Sequence, residues 1–135
     1  MAKPSVATAL TWLGDLRFAA STKGGGFTLD GDSAAGPSPV EALAASLAGC
    51  MAADVVEILR KGRHGLEALE ADLVAERAES PPRRFLRVTL KFLVRGHVPA
   101  SAIERAINLS REKYCSVWHS LRTDIEFLTS YEVAS

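Results

Sequence analysis

Cysteine is scarce in this chain, with two among 135 residues. That number excludes a multi-bridge disulfide scaffold, and no C-x-x-C or H-x-x-x-H spacing supplies the core of a metal site. A zinc site built from Cys50, Cys115 and one of the three histidines therefore has no spacing to recommend it, and no cofactor is expected. Charge of one sign is missing as well, because 16 lysines and arginines balance 16 aspartates and glutamates. A neutral chain has no bulk field to draw in nucleic acid, so no such partner is expected. Long apolar runs are also lacking. The longest uncharged run, residues 42–53, falls short of the roughly 20 residues that span a bilayer. The opening Met1-Ala2-Lys3-Pro4 has no apolar region of the signal-peptide kind, so a cytoplasmic protein with no membrane partner is expected. There is no G-x-S-x-G, and Gly24-Gly25-Gly26 lacks the Lys-Ser/Thr of a phosphate loop. Arg83, Arg84 and Arg87 form the densest basic cluster and read as a solvated turn and strand face.

What remains is an ordinary globular composition, 47% hydrophobic and 24% charged, consistent with one core and a single domain over residues 1–135. Residues 6–13 and 16–20 read as short strands around Gly14-Asp15, and residues 27–30 as a third strand. Ser38-Pro39-Val40-Glu41 is a helix start. Ser38 can cap, Pro39 suits the first helical position, and Glu41 completes a capping box. The helix should run to Lys61, with Gly62 as its stop. Its first half is small and apolar on nearly every side, which suits the centre of a fold or an interface. Residues 66–76 fit both a helical and a strand period. Leu86, Val88, Leu90, Phe92 and Val94 alternate with polar residues and read as a half-buried strand after a Pro81-Pro82 turn. If residues 66–77 are a strand, the two segments make a hairpin.

Ser101 and Glu104 repeat the capping-box pattern and open a helix with Ile103, Ala106, Ile107, Ser110 and Tyr114 on one stripe. That helix should deliver Cys115 at its end. Residues 122–133 alternate again, with Thr123, Ile125, Phe127, Thr129 and Tyr131 on one face of a last strand. The order β-β-β-α-β-β-α-β indicates an α+β fold.

Both cysteines admit two readings, inert packing or a redox and nucleophilic pair. Cys50 shares a stripe with Leu43, Leu47 and Asp54, where apolar surroundings would raise a thiol pKa. Cys115 follows Arg111 and Lys113, whose charges would favour a thiolate, while a helix C-terminus would oppose one. His119 stands four residues beyond Cys115 and reads either as its neighbour or as a turn residue beside Trp118.

Gly36-Pro37-Ser38-Pro39-Val40-Glu41-Ala42-Leu43, then Ala45-Ser46-Leu47-Ala48-Gly49-Cys50 and Asp54-Val55-Val56, resembles the central-helix signature of the OsmC-like family. Lys113-Tyr114-Cys115-Ser116-Val117 resembles its second-cysteine motif. The resemblance covers essentially the whole chain. It implies an intertwined homodimer with central helices packed against wrapped antiparallel sheets, and it makes residues 66–77 a strand. It also implies thiol-dependent reduction of organic hydroperoxides. Cys50 would be the peroxidatic thiolate, Cys115 its disulfide partner, and a dithiol such as a dihydrolipoyl group the reductant. The peroxidase branch of the family places a glutamate directly after the opening proline; here that position is Val40, and Glu41 follows it. One residue turns a helix by about 100°. Arg17 is the nearest counterpart of that branch's arginine between the first two strands. Catalytic candidates by resemblance are thus Cys50, Cys115, Glu41 and Arg17. The local pattern is closer to a branch in which both cysteines persist without the Arg–Glu pair. A non-catalytic redox sensor or small-molecule-binding dimer is the alternative.

Overall fold

The computed structural model describes residues 3–134. The chain divides into two compact units, Met1–Leu43 and Ala44–Ser135.

The first unit is an antiparallel meander of β1 (Ala9–Gly14), β2 (Arg17–Thr22) and β3 (Gly25–Asp30). The first strand begins later than its sequence pattern predicts, at Ala9, and Val6 lies outside it, 97% exposed. Trp12 pairs with Phe18 across the β1–β2 turn, and the Trp12 indole N–H donates to the Asp15 carbonyl at 2.9 Å. Beyond β3 the buried Asp30 carboxylate organises the loop. It accepts from the Asp32 N–H at 2.9 Å and the Ala35 N–H at 2.8 Å. These bonds hold its pKa below the ordinary carboxylate value, the Ala35 bond most strongly.

Helix α1 (Pro39–Lys61) begins with the expected capping box. The Glu41 N–H donates to Ser38 Oγ at 3.1 Å, and the Ser38 N–H donates to Glu41 Oε1 at 2.8 Å. Its end differs in detail from the expectation. The Arg63 N–H bonds to the Arg60 carbonyl and the His64 N–H to the Leu59 carbonyl, and the left-handed residue is Arg63, with φ 58°. Gly62 serves instead to make room, since a Cβ there would meet the His64 ring at 2.8 Å.

Nor is α1 buried on every side. Leu47, Met51, Val55 and Leu59 are each 0% exposed, while Ala45, Gly49 and Ala53 lie open. The uncharged run, itself too short for a bilayer, belongs to a 23-residue helix that is long and apolar enough to cross one by length and composition. Its fully buried stripe is that of a core helix.

The second unit continues with β4 (Gly65–Arg77) and β5 (Phe85–His97), the antiparallel hairpin that strand periodicity allowed. Val88, Leu90, Phe92 and Val94 are fully buried and face the core. An irregularity opposite Glu76 and Arg77 buries Phe85 and leaves Leu86 42% exposed, against strict alternation.

Helix α2 (Ala100–Leu109) contributes Ile103, Ala106 and Ile107 to the core. Its expected capping box does not form. The helix starts two residues early, with Pro99 at the cap and no side-chain bond there. Glu104 instead accepts from the Tyr131 hydroxyl at 2.7 Å. The chain then makes a π turn, Ser110–Tyr114, and a short helix α3 (Ser116–His119). Last comes β6 (Glu126–Ala134), shorter than the 122–133 expected at its start.

Strand β6 lies parallel to β5, so the second sheet, β4-β5-β6, is mixed where antiparallel sheets were expected. The reason is the connection. After β5 the helical segment returns the chain to the strand's starting end, and a crossover of that kind yields parallel neighbours.

Candidate thiol site

Cys50 and Asp54 stand one helical turn apart on α1 and are half-buried at the edge of its buried stripe. The stripe expected to hold them, through Leu43 and Leu47, is rotated; Met51, Val55 and Leu59 continue it instead. Cys115 is fully buried. Both thiols are free, and Cys50 is near enough to Cys115 to act on its titration.

The helix expected to carry Cys115 at its C-terminus is interrupted before reaching it. A Cys115 N–H to Ser110 carbonyl bond of 2.8 Å closes the π turn. Cys115 then caps α3, and its sulfur accepts from the Trp118 N–H at 3.4 Å. The cations next to it in sequence are aimed elsewhere. Arg111 lies 5.1 Å over the Phe127 ring and Lys113 lies 5.2 Å over Tyr114. The His119 Nε2–H donates to the Arg111 carbonyl at 2.9 Å, and the Trp118 ring lies tilted against Phe127 at 4.4 Å.

With those cations turned away, burial dominates and pushes the Cys115 thiol up to about 11. The Trp118 N–H opposes that rise, while Cys50 and the charge of Asp54 add to it. Cys115 is thus a thiol held in its protonated form by its surroundings.

A further contact braces the same spot. Ser110, fully buried, donates from Oγ to Asp54 Oδ2 at 2.7 Å. Asp54 also lines a cavity of about 440 Å³ with Ile58, Lys61, Arg105, Leu109 and Tyr114. Sequence reasoning misses the Asp54–Ser110 bond. Its only signals there are a carboxylate four residues after Cys50 and a hydroxyl on an otherwise apolar stripe.

Glu41 and Arg17 make the following contacts. Glu41 is the capping-box carboxylate and also accepts from the Ser33 hydroxyl. The Ser33 bond, then those from Ser38, hold its pKa below the ordinary value. Arg17 reaches Asp15 at 3.6 Å across an exposed turn, and its Nε is buried without a hydrogen-bond partner. Among the described residues no ion pair joins Arg17 to Glu41.

The family model for OsmC-like protein matches residues 30–130. Protein YhfA of Escherichia coli strain K12 is 41% identical over 128 residues, covering 93% of this chain and 92% of that protein. A hypothetical protein from Aquifex aeolicus VF5 has a crystal structure that superposes with a TM-score of 0.91 at 29% identity, covering 98% of each chain. An organic hydroperoxide resistance protein OsmC, a predicted redox protein from Legionella pneumophila, superposes with a TM-score of 0.71 at 17% identity. That match covers 98% of this chain and 100% of the other, and at such identity the likeness concerns the fold alone.

Proposed function

This chain belongs to the OsmC-like family, and from that premise we propose that it is a cytoplasmic thiol peroxidase that reduces organic hydroperoxides through Cys50 and Cys115. The observation that carries the reading is the asymmetry of the two thiols. Cys115 holds its proton to about pH 11, which leaves only about 1 part in 10,000 as thiolate at pH 7. Cys50, the more accessible sulfur, takes the attacking role.

The Cys50 thiolate attacks the distal peroxide oxygen. The O–O bond breaks, the alkoxide leaves and takes up a proton as alcohol, and Cys50 becomes a sulfenic acid. Oxidation neutralises the Cys50 sulfur and removes the charge that opposed ionisation of Cys115. Cys115 then attacks the sulfenic sulfur, forming a disulfide and releasing water. A dithiol such as a dihydrolipoyl group exchanges with the disulfide; it is oxidised to its own disulfide and both cysteines are returned as thiols.

A second copy of the chain completes this reading. The open small-residue face of α1, at Ala45, Gly49 and Ala53, supports close helix–helix approach in a homodimer. The exposed Leu10, Trp12 and Phe27 of the first sheet support the same assembly.

The test is steady-state reduction of cumene hydroperoxide and hydrogen peroxide with dihydrolipoamide. Turnover of the organic peroxide that exceeds that of hydrogen peroxide, and that disappears in Cys50→Ser, is the expected result. A second reading, a redox sensor or small-molecule-binding dimer, draws on the engagement of Glu41 as a helix cap away from Arg17. It predicts a single oxidation to the disulfide without sustained turnover. Rapid multiple turnover eliminates it.

A further inference from the structure

We propose that Asp54 is a positioning residue of the thiol pair: its carboxylate ties the π turn at Ser110 to α1 and thereby sets how Cys115 meets Cys50 and which sulfur attacks. The inference rests on the thiol reading above and assigns a residue to that site.

Ser110 is the hub of the geometry. Its side chain is fully buried, so its hydroxyl needs a partner, and the partner is a carboxylate 56 positions away in sequence. Its carbonyl accepts the Cys115 N–H at 2.8 Å and so closes the π turn. One residue therefore bonds α1 through its side chain and Cys115 through its backbone.

The π turn matters because it carries one more residue per hydrogen-bonded turn than an α-helix does. Each residue rotates the following side chain by about 100°. Held by Asp54, this turn directs Cys115 back toward the helix that carries Cys50. The two segments are thus tied at Asp54 and Ser110, one helical turn from Cys50.

The charge acts in the same direction. The groups acting on the Cys115 sulfur are Cys50 and Asp54 from α1 and the Trp118 N–H from its own segment. Arg111 and Lys113 are engaged on aromatic rings. Lys61 and Arg105 line the cavity beside Asp54, while the charge of Asp54 itself acts to keep the proton on Cys115.

Two variants separate the two effects. Asp54→Asn keeps an acceptor for Ser110 and removes the charge, whereas Ser110→Ala keeps the charge and removes the tie. In a Cys50→Ser background, ultraviolet thiolate absorbance reports the titration of Cys115 once the tyrosinate signal of a Cys50→Ser, Cys115→Ser control is subtracted. Asp54→Asn is expected to move that titration to lower pH, with at least a threefold larger thiolate fraction at pH 9. In the chain with both cysteines, Ser110→Ala is expected to slow disulfide formation by diamide, an azo oxidant that takes two electrons and both thiol protons, by fivefold or more. Unchanged titration in the first variant together with unchanged closure in the second overturns the proposal, and circular dichroism checks that both are folded. Should one variant not fold, the outcome of the other decides. Neither measurement uses peroxide or turnover, so the role of Asp54 is tested even in a protein that proves unable to reduce hydroperoxides.

Discussion

The two units of this protein handle apolar surface in opposite ways. In the second, β5 sends Val88, Leu90, Phe92 and Val94 into complete burial, with α1 and α2 supplying further buried side chains. In the first, Trp12 is 67% exposed and Leu10 56%, and Ala20 is the apolar residue buried among those of the three strands. Burying a side chain such as Phe or Leu stabilises by about 1.5–3 kcal/mol, so the second unit carries its own stability and the first leaves much of that gain unrealised. That exposed apolar surface is the reason a homodimer is part of the proposed function.

The sharpest way to break that contrast is to truncate one large side chain from each unit. Phe92→Ala should cost about 3–5 kcal/mol in urea unfolding, since it removes a fully buried ring and leaves a cavity. Trp12→Ala should change the stability of the dilute protomer by under about 1 kcal/mol. Its larger effect should be on assembly, seen as a shift of the monomer–dimer midpoint in sedimentation. Equal losses from both substitutions, independent of protein concentration, would show that the first sheet is not covered by a second copy.

The units should also differ in where pH breaks them. Cys115, in the second, has its pKa raised from 9.0 to about 11. The folded state therefore holds a proton that the unfolded chain releases first. The stability this contributes is fully present below about pH 8.5 and is lost as pH climbs toward 11, amounting to at most roughly 2–3 kcal/mol. The wild-type chain should thus lose more stability between pH 8 and pH 11 than Cys115→Ser does. Asp30, in the first unit, has the opposite sign. Its lowered pKa contributes stability above the ordinary carboxylate pKa that is lost on acidification, and Asp30→Asn should flatten that acid arm. Parallel alkaline curves for wild type and Cys115→Ser would remove Cys115 from the account.

Much of this is legible in the sequence where one local pattern decides the outcome. The Ser38–Glu41 box, the alternation of β5 and the two cysteine motifs each depend on residues close together in the chain. The differences arise where a distant partner decides. Arg111 and Lys113 are close to Cys115 in sequence, yet Phe127 and Tyr114 hold them. The π turn depends on a Ser110 whose hydroxyl partner lies on another helix. The parallel pairing of β6 depends on the path of the intervening helices, and no residue of β6 announces it. Glu41 reads in sequence as a cap as well as a catalytic candidate, and the hydrogen bonds found are those of the cap.

The smallest effect compares two sequence patterns that look alike and fold differently. Ser38 and Glu41 exchange two hydrogen bonds at the start of α1, whereas Ser101 and Glu104 lie two and five residues beyond the Pro99 cap of α2. Ser38→Ala should cost about 1 kcal/mol, the usual worth of a side-chain cap. Ser101→Ala should stay within about 0.5 kcal/mol, because its hydroxyl satisfies no orphan N–H at the cap. Ala102 and Ile103 already find the Pro99 carbonyl for their N–H groups, at 3.0 and 3.2 Å. Urea midpoints measured side by side decide it: equal losses would mean that α2 takes up its side-chain cap in solution, and that the Glu104–Tyr131 bond gives way when it does.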